Sequence, residues 1–531
     1  MVMAVMRVPR QPEFRPGSFW PGLSILALTL FGSPDSVAQV LDIQPRVELG
    51  LTWTDNVNAG RPAHEGEGGA DWITEVTPAV SISAGSKGGR LNGSLNANLR
   101  NPVHTRNTSN NTLFLALSGQ AEFEAIEDRL FLDADASVSR SNLSLYSGRM
   151  AGDSLDVASQ NEHRVWSFGP RLEFRFGDST NVTLSYLSRW LDSSGRTLGS
   201  QRSGTATAQV SDLTASRLFG WGLDYRRTDT TYDDIETRPG QGGDRAQEAA
   251  RATLYVRLSP ELRLRVIAGR EANDYSAGVR QSSSLRGAGF DWNPGERTAI
   301  TGTVEERVFG RGYDLAINHR MSRTMWSLGW SRDIQSALET LAGGGLLDPE
   351  FRLLYDSPDF LPELKDPYQR EMIIRRLLGL PQTGVRNGIQ TAAHYINRGL
   401  RGGVVWTGQR DVISLSLSRN DRTRLDDPAQ LDVLDDLRDH GESSSKAATL
   451  SFSHRLTPLS SLTANLIRSR SEGRGGSAIE TRRTMFTLGI SSTLGLRTIG
   501  ALQFRHQRFD GSRDLADFTE NALLATLSFS F

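Results

Sequence analysis

A chain of 531 residues is longer than an ordinary globular domain, so it forms either several domains or one architecture that tolerates length. Only 37% of the residues are hydrophobic and 52 are glycine, which is too polar for one large buried core. The same composition suits a barrel whose inner face meets water. The formal net charge of −1 excludes a global attraction to nucleic acid, so no nucleic-acid partner is expected.

The sequence has no cysteine, which excludes disulfides, thiolate nucleophiles and cysteine-based metal sites and suits transit through an oxidising periplasm. Lysine occurs only at Lys87, Lys365 and Lys446, so arginine supplies nearly all of the 60 basic side chains. Arginine favours bidentate recognition of carboxylate and phosphate. A general preference of the organism for arginine would give the same bias, and both interpretations stay open.

Residues 1–38 have the pattern of a signal peptide. Arginines precede an apolar run from Leu23 to Phe31, and Ser36-Val37-Ala38 then places small residues where a signal peptidase cleaves. The apolar run is shorter than the ~20 residues of a membrane-spanning helix, which disfavours the alternative of an uncleaved anchor. We therefore expect cleavage after Ala38 and a mature chain of residues 39–531.

From about residue 44 onward, runs of alternating apolar and polar residues are separated by turns. Ile413, Leu415 and Leu417 alternate with serines in this way. Several soluble sandwiches could produce the same alternation, but one closed barrel accounts for so many even runs and leaves no edge strand. The sequence predicts an all-β fold: a large transmembrane antiparallel β-barrel of about 18–22 strands in the cell outer membrane, surrounded by lipid.

The connections between these runs alternate between short and long. Predicted short turns include 177–179, 259–261, 293–295, 408–410 and 457–458, several of them with proline or glycine. Predicted long loops include 55–70, 140–163, 229–249 and 421–445. Outer-membrane barrels place short turns at the periplasmic end and long loops outside the cell.

Four arginines are candidates for lining the lumen. If the apolar residues of 172–176 and 262–266 face lipid, alternation turns Arg171, Arg175, Arg263 and Arg265 inward. Rings of guanidinium groups select anions in a pore. The alternative, which we favour, is that these arginines pair with lumen carboxylates such as Glu173 and brace the barrel wall.

Between residues 335 and 390 the alternation stops. Asp366-Pro367 begins a stretch with helical spacing that includes Leu377 and Leu378 and ends at Pro381. An insert of this length is a lid, a plug or a disordered excursion. We expect a partly helical element at or inside the pore, because a disordered loop has little use for an amphipathic helix.

The last run carries a further signal. Leu527, Phe529 and Phe531 fall on one face, and Phe531 ends the printed sequence. An aromatic final strand of this kind resembles the signal that barrel-assembly machinery reads, so Phe529 and Phe531 are assigned to that role and the machinery is an expected partner.

Enzymatic signatures are missing from the sequence. There is no phosphate-binding loop and no zinc-protease motif, and the eight histidines are scattered. The carboxylates Asp432, Asp435, Asp436 and Asp439 lie in a predicted loop, where we expect solvated side chains, with a divalent cation as the alternative. We therefore predict no catalytic residues, no metal, no cofactor and no enzyme activity.

A series of short segments occurs in a fixed order along the chain: Pro45-Arg46, Thr52 to Asn58, Asp71 to Pro78, Leu258-Ser259-Pro260, Gly269-Arg270-Glu271, Trp292 to Thr298, Phe309-Gly310, Arg323 to Trp326, and Asp366-Pro367 with Leu377 to Pro381. In this order the segments resemble a family of outer-membrane proteins associated with the PEP-CTERM/exosortase system of exopolysaccharide-producing Gram-negative bacteria. This chain departs from the family pattern in having Trp53 where tyrosine is more frequent. The resemblance brings no catalytic residues with it.

What the resemblance implies is a barrel linked to polysaccharide export or to sorted surface proteins, with polysaccharide or polysaccharide-export proteins as partners. We expect a porin-like channel or export component that moves polymer or solute. The alternative is a non-transporting scaffold that anchors surface polysaccharide or sorted proteins through its long loops. A hydrolase is a third hypothesis, but no Ser, His and acid set for it is visible.

Overall fold

The computed structural model describes most of the chain from residue 41 onward. The described residues are 41–57, 69–85, 90–142, 144–146, 160–177, 179–194, 199–212, 218–232, 245–276, 279–336, 338, 389, 391–428, 431, 435–475, 478–512 and 517–531. The predicted signal peptide and almost all of the predicted insert at 335–390 lie outside them, so both stay predictions. Among the described residues, no helix is long and apolar enough to cross a membrane.

Long strands make up nearly all of the described chain, and a short 3₁₀ turn spans Thr108–Asn110. The first eleven strands are β1 (Leu41–Thr54), β2 (Asp71–Ala84), β3 (Leu91–His104), β4 (Phe114–Ile126), β5 (Leu130–Asn142), β6 (Gln160–Phe176), β7 (Thr180–Ser193), β8 (Gln201–Asp212), β9 (Phe219–Tyr232), β10 (Arg245–Arg257) and β11 (Leu262–Ser276). The remaining strands are β12 (Val279–Gly295), β13 (Thr298–Arg307), β14 (Gly310–Arg320), β15 (Thr324–Gln335), β16 (Tyr395–Thr407), β17 (Asp411–Arg424), β18 (Glu442–Thr457), β19 (Ser460–Arg474), β20 (Ile479–Gly495), β21 (Thr498–Gly511) and β22 (Phe518–Ser530).

The strands form one closed ring. Each pairs antiparallel with the next in the sequence, and β1 pairs with β22 over the register Arg46↔Ser530 to Thr54↔Ala522. A side-chain bond crosses this seam, where Thr54 Oγ1 donates to Glu520 Oε1 at 2.9 Å. The predicted antiparallel barrel is thus confirmed, with 22 strands, and closure leaves no edge strand unpaired.

Apolar and polar residues alternate along each strand, which gives the barrel an apolar outer face and a polar inner face. In β17, Ile413, Leu415 and Leu417 are 37–51% exposed, whereas Ser414 and Ser416 are buried. Successive side chains of a strand point to opposite faces, and an antiparallel register puts paired residues on the same face. The alternation read from the sequence therefore gives the outer face of the barrel.

Tryptophans occupy both ends of this outer face. Near the end that carries the long connections, Trp53 pairs with Trp72 and Trp166 pairs with Trp190. Trp292 and Trp406 lie near the opposite end and are partly exposed. Such aromatic rings settle at the two interfaces of a membrane, so the apolar band between them is the membrane-spanning part.

The connections differ at the two ends of the ring, as the sequence predicts. The longest ones follow odd-numbered strands, although 277–278 and 308–309 are two-residue links on that same side. The predicted turn at 293–295 is wrong in position, because β12 continues to Gly295 and the turn is Glu296-Arg297. The register shifts between Trp292 and Gly295, so Pro294 lies at an irregularity where no ladder hydrogen bond is required of it.

Candidate functional site at the loop-bearing mouth

The described residues of three long connections meet at one end of the barrel. Their apolar residues form what we call the mouth cluster: Leu145, Tyr146, Ile389, Tyr395 and Leu437, each no more than 7% exposed, with Ile479 of β20 packed against them. Burial of such side chains is the main source of stability for a loop assembly. The mouth therefore carries a small hydrophobic core of its own.

Asp436 ties two of these connections together. Its Oδ2 accepts a hydrogen bond from the backbone N–H of Leu145 at 2.8 Å, and its other carboxylate oxygen accepts one from the hydroxyl of Ser144. Ser144 follows β5 and Asp436 follows β17, and these strands belong to opposite halves of the ring. The contact therefore joins opposite parts of the wall across the mouth.

Asp435 ties in the third connection. Its Oδ2 accepts the backbone N–H of Ala392 at 2.9 Å, and its Oδ1 accepts the backbone N–H of Leu437 at 2.9 Å. Burial raises the pKa of Asp435 to about 7, against the lowering effect of these two hydrogen bonds and of Thr391, and the neighbouring Asp436 raises it further. The two adjacent carboxylates thus hold three loops in one arrangement.

This raised pKa predicts a pH dependence of the mouth contacts. Between the ordinary value of 3.8 and about 7, the folded mouth keeps a proton on Asp435 that the opened mouth releases. The contacts are therefore strongest at the acid end of this window, weaken as the pH rises towards 7, and weaken little further above it. We expect trypsin cleavage after Arg438, normalised to a denatured peptide of the same sequence, to accelerate by up to about tenfold per pH unit across the window.

Two variants separate Asp435 from the other acids in this test. Asp435→Asn removes the titrating group, so its normalised cleavage rate should not change with pH between 4 and 7. Asp439→Asn alters an exposed carboxylate of the same connection and should keep the wild-type profile. A pH-dependent rate in Asp435→Asn would show that another group is responsible.

A buried ion pair joins two of these connections to the first residue of β10. Arg245, the first residue of β10, places Nη1 3.1 Å from Asp426 Oδ2 and 2.8 Å from the His394 ring. The backbone N–H of His394 also donates to Asp426 at 2.7 Å. Burial alone would raise the pKa of Asp426, but its bonds to His394 and the charge of Arg245 hold that pKa below its ordinary value.

Two glycines let the loops approach the inner wall. A Cβ on Gly473 would lie 2.6 Å from the Tyr146 hydroxyl oxygen, and one on Gly475 would lie 2.5 Å from the Asp439 carbonyl oxygen. Gly475 also has φ of +152°, a conformation that L-residues rarely adopt. The end of β19 is thus built for close contact with the mouth cluster.

Below the mouth, arginine–carboxylate pairs brace the inner wall. Arg100 Nε lies 2.6 Å from Glu75, Arg307 Nε lies 2.9 Å from Glu271, and each pair links strands of the wall. Arg505 is likewise 2.9 Å from Glu520. Each of these cations faces a carboxylate, so the charges along this part of the wall are balanced.

The four arginines predicted from the sequence fall in two separate places on this wall. Arg263 and Arg265 share Asp291, at 2.8 Å and 3.2 Å. Arg265 also donates to the carbonyl oxygens of Phe290 and Gly302.

The other two arginines lie on β6. Arg171 Nε is 3.0 Å from Asp133, and the same guanidinium contacts Glu122 and Glu173. Arg175 donates to Asn181 at 3.2 Å. All four arginines contact oxygen atoms of neighbouring side chains or of the backbone. These contacts favour the interpretation that the arginines pair within the barrel wall over a ring of free guanidinium groups.

The sequence missed the mouth cluster, and one expectation about it is wrong. Asp435 and Asp436 are each only 5% exposed and are not solvated, because they accept hydrogen bonds from neighbouring loops. Asp439 is exposed as expected, and Asp432 lies outside the described residues. Leu431 and Leu437 lie within this acidic run and could have indicated that the loop is packed, since a fully solvated loop has no use for large apolar side chains.

A polar inner wall inside an apolar outer band, with the long connections at one end, is the organisation of outer-membrane barrels. The chain is an outer-membrane β-barrel. Within its described part, no group of three or more His, Cys, Asp or Glu side chains could hold a metal ion.

Among solved structures, the barrel is similar to siderophore and iron receptors. The siderophore receptor PirA from Pseudomonas aeruginosa is 9% identical, with a TM-score of 0.43 over 92% of this barrel's chain and 80% of PirA. The FrpB iron transporter from Neisseria meningitidis, apoprotein form of the F5-1 variant, is 9% identical, with a TM-score of 0.48 over 92% and 81% of the two chains. No protein-family model and no curated protein matches the chain.

Proposed function

We propose that this outer-membrane barrel is a passage for hydrophilic polymer or solute, linked to extracellular polysaccharide production and to the sorting of PEP-CTERM surface proteins. The observation that carries the transport part is the polar, charge-balanced inner wall beneath the mouth cluster. Paired charges offer hydrogen bonds without a strong net field, which suits neutral sugars better than small anions. The link to polysaccharide rests on the sequence segments that resemble the PEP-CTERM-associated family.

The transport proposal is tested by liposome swelling with neutral oligosaccharides of increasing size. We expect swelling with short neutral oligosaccharides, and a bilayer reversal potential that shows only weak ion selectivity. Strong anion selectivity would instead favour free guanidinium groups in the lumen. A barrel that gives neither swelling nor conductance contradicts the transport proposal.

The polysaccharide link is tested in cells that lack the protein. A passage predicts that the polymer accumulates in the periplasm and that less appears outside. The scaffold alternative predicts normal secretion into the medium with poor retention at the cell surface. A strain with unchanged polymer and unchanged sorted surface proteins would remove the link.

The C-terminal strand supports a further proposed partner, the barrel-assembly machinery. Phe531 directly follows β22 and is 67% exposed, and its backbone N–H donates to the carbonyl oxygen of Pro45 at the seam. We expect Phe531→Ser to lower the amount of assembled barrel severalfold, measured as the heat-modifiable band on a gel. Because the side chain packs little, the thermal stability of the assembled fraction should stay within about 0.5 kcal/mol of wild type. Unchanged assembly would remove this role.

A further inference from the structure

A row of basic side chains crosses the outer face of β17 to β20. The register places Arg419 opposite Lys446, Lys446 opposite Arg470, and Arg470 opposite Arg482. All four side chains are exposed, and each lies an even number of residues from a lipid-facing apolar residue of its own strand, so they point away from the lumen. We call these four residues the basic row.

The basic row lies directly above an apolar row on the same face. Four residues further along each strand towards the short-turn end, Leu415, Leu450, Leu466 and Phe486 form the corresponding register line, and all are exposed. These are lipid-facing positions of the apolar band. The basic row therefore lies at the level where acyl chains give way to headgroups on the loop-bearing side.

The charges of this region are only partly balanced within the protein. Arg419 pairs with Asp421 at 2.8 Å, Arg470 pairs with Glu472 at 2.8 Å, and Arg470 and Arg482 share Glu480 at 3.1 Å and 2.6 Å. Lys446 and the adjacent outward Arg468 make no hydrogen bond or ion pair within the described part of the chain. Two exposed cations beside the lipid face are thus left for an external anion.

The position of Lys446 is a further reason for an anion to bind here. It faces Arg419 on one side and Arg470 on the other, and like charges directly opposite each other in a sheet are destabilising. An anion placed over Lys446 relieves both repulsions. Phosphate suits the site because arginine and lysine bind it through charge-assisted hydrogen bonds.

We propose that the basic row and Arg468 form a binding site for a phosphorylated glycolipid of the outer leaflet. Its phosphates would contact Lys446 and Arg468, while its acyl chains would lie along the apolar row. The lipid is favoured over free phosphate because the cations and the apolar row form one continuous outer surface. This site is separate from the lumen and does not depend on what the barrel transports.

The test measures binding of a purified diphosphoryl glycolipid to the detergent-solubilised barrel by native mass spectrometry. We expect Lys446→Gln/Arg468→Gln to weaken binding by about 30-fold, the change that corresponds to about 1 kcal/mol for each basic side chain. The matched control is Arg227→Gln/Arg280→Gln, which removes two exposed arginines of β9 and β12 that already pair with Asp229 and Glu248. This control should bind the lipid nearly as tightly as wild type.

Two measurements on the wild-type barrel need no substitution. Removing the phosphates from the glycolipid should abolish most of the binding, and millimolar inorganic phosphate should fail to displace the intact lipid. Equal binding of the dephosphorylated lipid, or equal binding by the double variant and wild type, would overturn the proposal. Displacement by inorganic phosphate would also overturn it, because the site would then bind phosphate without its lipid.

Discussion

We expect Asp436→Asn to open the mouth and to increase the fraction of time that the barrel spends in a conducting state by roughly thirtyfold. The carboxylate accepts hydrogen bonds from the Leu145 N–H and the Ser144 hydroxyl, and an amide can replace only one acceptor. Losing one hydrogen bond to a charged group costs about 1.5–3 kcal/mol, which sets the size of the shift. Single-channel recording in a planar bilayer measures it directly.

Asp439→Asn is the matched control for this prediction. It changes the same charge in the same connection, but the Asp439 side chain is exposed. Its open fraction should equal that of wild type. If Asp436→Asn also records like wild type, the contact across the mouth does not limit passage.

We expect Arg245→Met to destabilise the mouth by about 3–5 kcal/mol. The side chain of Asp426 is fully buried and that of Arg245 is 8% exposed, so the substitution leaves a buried carboxylate without the permanent positive charge of Arg245. We expect the loops to become exposed at a lower urea concentration than in wild type, while the strands of the barrel stay protected. Limited proteolysis at increasing urea concentration measures this midpoint. The double variant Arg245→Met/Asp426→Leu should recover much of the loss, because it removes the buried charge as well.

The exposed Arg227–Asp229 ion pair is the control for the loss of stability expected at the buried Arg245–Asp426 pair. Arg227 and Asp229 lie 3.0 Å apart, with about half of each side chain exposed. Arg227→Met should change the stability far less than Arg245→Met does, because solvent already screens this pair. Equal losses for Arg227→Met and Arg245→Met would contradict the claim that the Arg245–Asp426 pair is buried and supports the mouth.

The alternation of residues was enough to predict the barrel. A period of two fixes which face of a strand meets lipid, so Leu415 and Leu417 could be assigned before any contact was known. Ring closure follows because open edges are unfavourable in a membrane. Local turn signals were less exact, since Pro294 looks like a turn residue but lies at an irregularity inside β12.

The mouth could not be predicted in the same way. Leu145 and Asp436 are separated by 291 residues, and neither lies in a periodic segment. Their contact depends on the ring closing first, which brings loops from opposite halves of the wall together. The pairing of Arg171 with Glu173 was easier to foresee, because alternation places both on the same inner face two residues apart.

A disulfide across the mouth tests most directly whether opposite halves of the wall are in contact there, and the natural absence of cysteine makes this disulfide specific. Ser144→Cys/Asp436→Cys replaces two side chains in contact, and the control Ser144→Cys/Asp439→Cys moves one thiol to an exposed neighbour. We expect rapid oxidation of the first pair only, with low bilayer conductance that rises when the disulfide is reduced. Oxidation no faster than in the control pair, or conductance that does not respond to reduction, would contradict a mouth closed by contact between opposite halves of the wall.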